Sequence, residues 1–265
     1  MSATVIDTPA LRAAAEAILP DVVAIRRRLH RRPEIGLQLP ETQAVILEEL
    51  RRLGLEPRPG GTTTSVTAVI EGGRPGPTTL LRGDMDALPV GEDTGLDFAS
   101  EVPGTMHACG HDTHVAMLLG AARLLVERRA DLRGRVLLMF QPGEEGLHGA
   151  RFMLEEGLLE EGPHGASDVR RAVALHISTR YAAGVVALRP GAILASADRI
   201  VATVRGRGGH ASAPHLALDP VPVTAELILA LQSMITRRVD AFDPAVLTIT
   251  RLAGTIPGFP TPQYE

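Results

Sequence analysis

Residues 106–115 read Met-His-Ala-Cys-Gly-His-Asp-Thr-His-Val and set the chain's one cysteine, Cys109, two positions before His111 at the mouth of an apolar helix. A thiolate and an imidazole offered together form a donor set for a transition-metal ion. Downstream, Glu144 and Glu145 follow one strand-like run, Arg135–Phe140, and His176 follows another, Ala172–Leu175, whose apolar residues read as a buried strand. Adjacent glutamates in an extended segment point to opposite sides. One can then bind a metal while the other faces the water as a general base, because a metal in a good site brings the pKa of water to roughly 7. Asp84 and Asp86, in Arg82-Gly83-Asp84-Met85-Asp86, alternate in the same way. One carboxylate can orient a ligand or the base while the other caps backbone, and the spacing leaves open which does which.

These residues need a frame that gathers them. Helical periodicity covers 10–31, with Pro20 read as a first-turn residue and Pro33 as a stop, then about 41–53 and 113–129, with a short helix near 149–157. Ser65–Glu71 and Thr78–Leu81 flank a Gly/Pro-rich connection and read as a hairpin-like pair of strands. Alternating strands and helices with near-continuous apolar strands predict an α/β fold, a mainly parallel sheet with helices on both faces. The clusters at Asp84/Asp86, Glu144/Glu145 and His176 all follow C-terminal strand ends, where ligands bind in such sheets, so they should share one crevice. From about residue 190 the texture changes. Asp198–Arg205 and Ala245–Ala253 alternate, and Asp219–Val239 is amphipathic, which predicts a second, incomplete α+β unit. The expected domains are thus 1–190 and 191–265.

Bulk properties narrow the function classes. The chain has 265 residues, 45% hydrophobic and 22% charged, an ordinary globular composition. A net charge of −4 gives no reason to expect a nucleic-acid partner. One cysteine rules out an intrachain disulfide and suits a reducing compartment. No apolar run approaches membrane-spanning length and no signal peptide is evident, so a cytoplasmic location is expected. Some residues read as ordinary packing or surface: His30 as an exposed helix residue, His148 and His164 as loop residues without a role. His107 and His114 flank the cluster and fit support of the ligands better than ligation.

Several stretches together resemble a known family. They are Arg27-Arg28-Leu29-His30 with Pro33-Glu34, Arg82–Pro89, Met106–His114, Phe140–Gly146, Leu175-His176 and Gly206–Pro214. The chain resembles the amidohydrolase branch of the aminoacylase/carboxypeptidase-type dinuclear metallopeptidases, which includes hippurate hydrolase, N-acyl-amino-acid deacylases and indole-acetyl-amino-acid hydrolases. The resemblance implies two divalent metal ions, Zn²⁺ or Mn²⁺ with Co²⁺ or Ni²⁺ also suitable, held by Cys109, His111, Glu145 and His176. It makes Glu144 the general base and acid and places Asp84 and Asp86 on a supporting aspartate motif. It implies a small-molecule N-acyl amino acid as substrate and a homodimer formed through the second domain. That domain acts as a lid, and its His210 reaches a neighbouring site to polarise the substrate carbonyl.

The chain also departs from that pattern. The family's fifth ligand is a histidine well beyond the lid, and here no histidine follows His215. The lid normally supplies an asparagine that holds the substrate carboxylate, and this sequence has none. The chain reads as the first two-thirds of such an enzyme, which predicts weak or absent turnover by these 265 residues. Two other readings compete with the amidohydrolase: a catalytically dead metal-binding fragment, and a dimerisation module built on the helix near 219–238.

Overall fold

The structure is a computed structural model that describes residues 8–162, 165–194, 196, 198–210, 212–243 and 245–254. The chain divides into two compact units, Met1–Ala182 and Ala183–Glu265.

The first unit is an α/β sandwich. Helix α1 (Thr8–Arg31) places Arg28, His30 and Arg31 in its last turn, where cations suit the carbonyl end of the helix dipole. Pro20 lies inside α1 rather than in a first turn. It sits on the exposed face, where water can satisfy the carbonyl that loses its partner. Helix α2 (Pro40–Arg52) starts with proline at its first position. Its N-terminal amides of Glu41 and Thr42 donate to the Glu34 carboxylate at 3.1 and 2.8 Å. Helix α3 is His111–Glu127 and α4 is Gly149–Glu155.

Among the described residues, five strands make one sheet: β1 (Arg58–Pro59), β2 (Val66–Glu71), β3 (Arg74–Asp84), β4 (Arg133–Gln141) and β5 (Val169–Ala174), in the order β1-β2-β4-β3-β5. β3, β4 and β5 run parallel, while β2 pairs antiparallel with both β1 and β4. Four of the five strands therefore share a direction, and β2 is the exception. The expected β2–β3 hairpin does not form, because β4 lies between the two strands. The reason is visible in β4 itself: Val136, Leu138 and Phe140 enter the core beneath α1, α2 and α3, while Leu137 and Met139 pack with Met153 and Leu158 on the other face. A strand apolar on both sides is best accommodated in the middle of a sheet. β5, expected to be buried, is largely exposed because only β3 pairs with it among the described residues. Register puts Asp84 opposite Gln141 and Arg82 opposite Ala174, so the three C-terminal strand ends lie side by side.

The second unit contains helix α5 (Pro220–Arg238), N-capped by Asp219, whose Oδ1 accepts from the Val221 amide at 2.9 Å. Arg207 and Leu218 form an isolated bridge. No strand forms over 198–205 or 245–253 among the described residues, although both segments alternate in sequence. Alternation marks a segment that can lie on a sheet, but a strand needs a second segment to receive its N–H and C=O groups. Among the described residues, no helix is long and apolar enough to cross a membrane.

Candidate metal centre

His111 lies at the centre of the site. It is the first residue of α3, follows Gly110 in the left-handed conformation, and is fully buried. Among the described residues, neither of its ring nitrogens has a hydrogen-bond partner. Nε2 faces Asp84 Oδ2 at 3.6 Å and Glu144 Oε2 and Glu145 Oε1 at 3.9 Å each, while Nδ1 faces Asp86 Oδ1 at 3.5 Å. A buried imidazole ringed by carboxylates just outside bonding range is costly unless something sits between them. Three donor sets share it: Cys109/His111/His176, Asp84/His111/His114 and His111/Glu144/Glu145, each with ligand atoms within 4.8 Å of one another. Two ligands of one ion at roughly 2.0–2.3 Å lie no more than about 4.6 Å apart. The spacing and the mixture of thiol, imidazole and carboxylate therefore fit a divalent transition metal.

The aspartates of the β3 end hold different parts of the site. Asp86 accepts the Glu144 amide on Oδ1 at 2.9 Å and the Glu145 amide on Oδ2 at 3.0 Å. The two glutamates lie in a turn that Asp86 caps, not in an extended segment, so both carboxylates approach His111 rather than facing opposite ways. Asp84 accepts from His114 Nδ1 at 2.5 Å. Its Oδ2 lies 2.7 Å from Arg82 Nη1 but at an angle that makes no hydrogen bond.

His176, just past β5, brings Nε2 to 3.4 Å from Cys109 Sγ. Its Nδ1 donates to the Ile177 carbonyl at 2.6 Å, which leaves the Nε2 lone pair as the ligating face of the neutral ring.

The site is crowded with carboxylates. Burial, then Glu145, Glu144 and Asp84, push the Cys109 thiol up to about 12, so nearby positive charge is what would favour a thiolate there. Burial opposes charging the His111 ring, yet Asp86, Asp84 and Glu144 outweigh it and raise its pKa. Burial likewise opposes ionisation of Asp84 and Asp86. For Asp84, His114, His111 and Arg82 win and lower the pKa; for Asp86, His111 and the two glutamate amides do so.

Cys109, His111, Glu144, Glu145, His176, Asp84 and Asp86 are thus gathered at one end of the sheet. His210 is in the second unit, exposed, with Nδ1 2.8 Å from Ser212 Oγ and accepting the Ser212 amide at 3.2 Å. His164 lies outside the described residues. His30 corrects the sequence reading, because it is buried, not exposed. Its Nδ1 lies 2.7 Å from Asp112 Oδ2 and its Nε2 3.2 Å from Glu92 Oε1, and Arg26 Nε also reaches Asp112 Oδ2 at 2.8 Å. This network ties α1 to the first turn of α3 beside His111. Its one sequence signal was an aspartate next to the central histidine. His107 is buried with neither ring nitrogen bonded among the described residues, and burial holds its pKa down to about 4.

Comparison with known proteins gives a consistent picture. A family model described as "Peptidase family M20/M25/M40" matches residues 80–257. Thermostable carboxypeptidase 1 of Saccharolobus solfataricus is 43% identical over 234 residues, covering 87% of this chain and 58% of the relative. N-acetyl-L-cysteine deacetylase of Bacillus subtilis is 41% identical over 233 residues, covering 88% of this chain and 54% of the relative. This chain thus spans a little over half the length of either. Among solved structures, the Bacillus subtilis YXEP protein, described as a dinuclear metal binding peptidase, matches with TM-score 0.57 and 41% identity over 62% of this chain and 44% of its own.

Proposed function

Because the chain belongs to peptidase family M20/M25/M40, we propose that it acts in a metal-dependent amidohydrolase that cleaves N-acyl amino acids to a carboxylate and a free amino acid. The observation that carries the reading is His111, buried with both ring nitrogens unpartnered among the described residues and facing thiol, imidazole and carboxylate donors. The N-acyl amino acid class draws on the deacetylase relative.

Cys109, His111, Glu145 and His176 are the proposed ligands of two divalent ions, with Zn²⁺ or Mn²⁺ suited to the set and Co²⁺ or Ni²⁺ also suitable. Bound metal supplies Lewis acidity toward the amide carbonyl and acidifies water. Glu144, the more exposed of the two glutamates at 40% side-chain exposure, takes a proton from the attacking water and delivers it to the leaving amine nitrogen. Asp86 holds the Glu144–Glu145 turn, and Asp84 faces His111. The second unit is proposed as the lid and dimerisation domain, with His210 as the residue that polarises the substrate carbonyl. The location proposed is cytoplasmic.

Metal uptake is measured first, by titrating the purified chain with Zn²⁺, Mn²⁺ or Co²⁺. Failure to bind any of them overturns the proposal. Hydrolysis of hippurate and N-acetyl amino acids follows, where replacing the base, Glu144→Gln, should cost about 10²–10⁴-fold in turnover. Robust turnover by the 265-residue chain would also show that the absent asparagine and later histidine weigh less than the sequence reading gives them.

A further inference from the structure

We infer that His114 is a positioning residue that fixes the ligating face of His176, acting through the backbone of Ile177. The inference rests on the metal-site reading above and assigns a task to a residue outside its ligand set.

The Ile177 amide donates to His114 Nε2 at 2.9 Å. A backbone N–H can only donate, so Nε2 is the acceptor and the ring proton must sit on Nδ1. Nδ1 then donates to Asp84 Oδ1 at 2.5 Å, which locks the tautomer from its other side. His114 is 3% exposed, so water offers little competition for either bond. The carbonyl of the same Ile177 accepts from His176 Nδ1 at 2.6 Å, and His176 Nε2 faces Cys109 Sγ at 3.4 Å. One continuous path of hydrogen bonds thus runs from the end of β3, through α3, to the histidine that follows β5. Without it, His176 would hang from β5, an exposed strand that only β3 pairs among the described residues.

A second observation places the same residue. Gly110 has φ +84°, and a Cβ built there would lie 2.5 Å from Ile177 Cγ2. The Ile177 side chain therefore occupies the space left by the missing Cβ between Cys109 and His111. The segment after His176 is docked against the Cys109 loop by packing and tied to α3 by His114. His114 itself is already satisfied at both nitrogens, so it serves as a strut rather than a ligand.

Two amide substitutions separate the strut from a simple structural role. Glutamine can place a polar atom near the imidazole Nε2 position, and asparagine near the Nδ1 position. His114→Gln therefore keeps the reach to Ile177, and His114→Asn keeps only the bond to Asp84. Cobalt(II) is titrated into the full chain, with Kd obtained by chelator competition and the thiolate-to-cobalt and d–d absorption recorded. His114→Asn should raise Kd about 10–100-fold, the range for partners that orient a ligand. Its spectrum should shift toward that of His176→Ala, and His114→Gln should recover the wild-type band. Combining His114→Asn with His176→Ala should be no worse than His176→Ala alone, because coupled effects do not add. Equal affinity in wild type and His114→Asn, or additive losses, overturns the inference while leaving the metal site intact. A wild-type chain with no cobalt absorption overturns both. A thermal midpoint that falls in step with Kd in both variants assigns His114 to folding alone and also overturns the inference.

Discussion

Replacing Asp86 by asparagine keeps the number of heavy atoms and exchanges one carboxylate oxygen for an NH₂, removing the charge. Asp86 is 1% exposed and holds the amides of Glu144 and Glu145 at 2.9 and 3.0 Å, one on each oxygen. Asn keeps one acceptor but turns an NH₂ toward the other amide, so one charge-assisted bond is lost and a donor is left facing a donor. That costs about 1.5–3 kcal/mol. For a folded unit of this size, each kcal/mol moves the thermal midpoint by roughly 2–4 °C, so Asp86→Asn should melt about 3–12 °C lower. The sign with pH follows from the lowered pKa of Asp86: burial opposes the charge, but His111 and the two amides outweigh it. The wild-type advantage is therefore full above the ordinary carboxyl value of 3.8 and closes as pH falls through the lowered folded value. The turn also aims both glutamates at His111, so cobalt affinity should weaken about 10–100-fold in the same variant. Calorimetry across pH 3–7 and a cobalt titration read both effects. An Asn variant with unchanged midpoint and unchanged affinity would refute the assignment of Asp86 as the clamp of the turn.

Gly110→Ala should cost about 1–2 kcal/mol for the left-handed backbone and more for displacing Ile177. Gly104→Ala is the control, since Gly104 has φ +73° with nothing within 4 Å; equal losses in melting and metal affinity for the two would show that the Ile177 contact is idle. His30→Leu breaks a buried pair with Asp112 and should destabilise by about 3–5 kcal/mol. The bond to Asp112 raises the His30 pKa, so its contribution is full below the ordinary value of 6.5 and fades as pH rises through the raised folded value. Urea titrations near pH 6 and pH 9 check this: a wild-type advantage that grows toward pH 9 contradicts the sign.

Much of the site was legible because its parts follow strand ends, and strand ends follow from runs such as Arg135–Phe140 that have an obvious apolar character. What escaped was pairing. Val66–Glu71 and Thr78–Leu81 have the texture of a hairpin, and nothing local reveals that a strand more than fifty residues later takes the place between them. β5 is exposed for a related reason: Ala172–Leu175 is apolar, as a buried strand would be, but lies at the margin of the described sheet. His30, in an arginine-rich stretch, looked solvated, and only the approach of α3 reveals the carboxylate that receives it. Glu144 and Glu145 follow a strand and by sequence would continue its geometry, but Asp86, 58 residues before Glu144, bends them into a turn.

The place of β4 between β2 and β3 sets an order of assembly. β2 and β3 are neighbours in sequence but two strand spacings apart in space, roughly 9–10 Å. They cannot reach native register until the intervening chain through α3 has been made and β4 has slotted into the gap. Contacts that wait on so long a loop are slow to close. A chain emerging from the ribosome therefore carries Asp84, Asp86, Cys109 and His111 well before the two glutamates, and before His176, which joins them last. Until Gln141 lines up beside Asp84 and β5 joins β3 with His176 behind it, the proposed metal site would lack part of its donors, so loading would be coupled to closing both sides of β3.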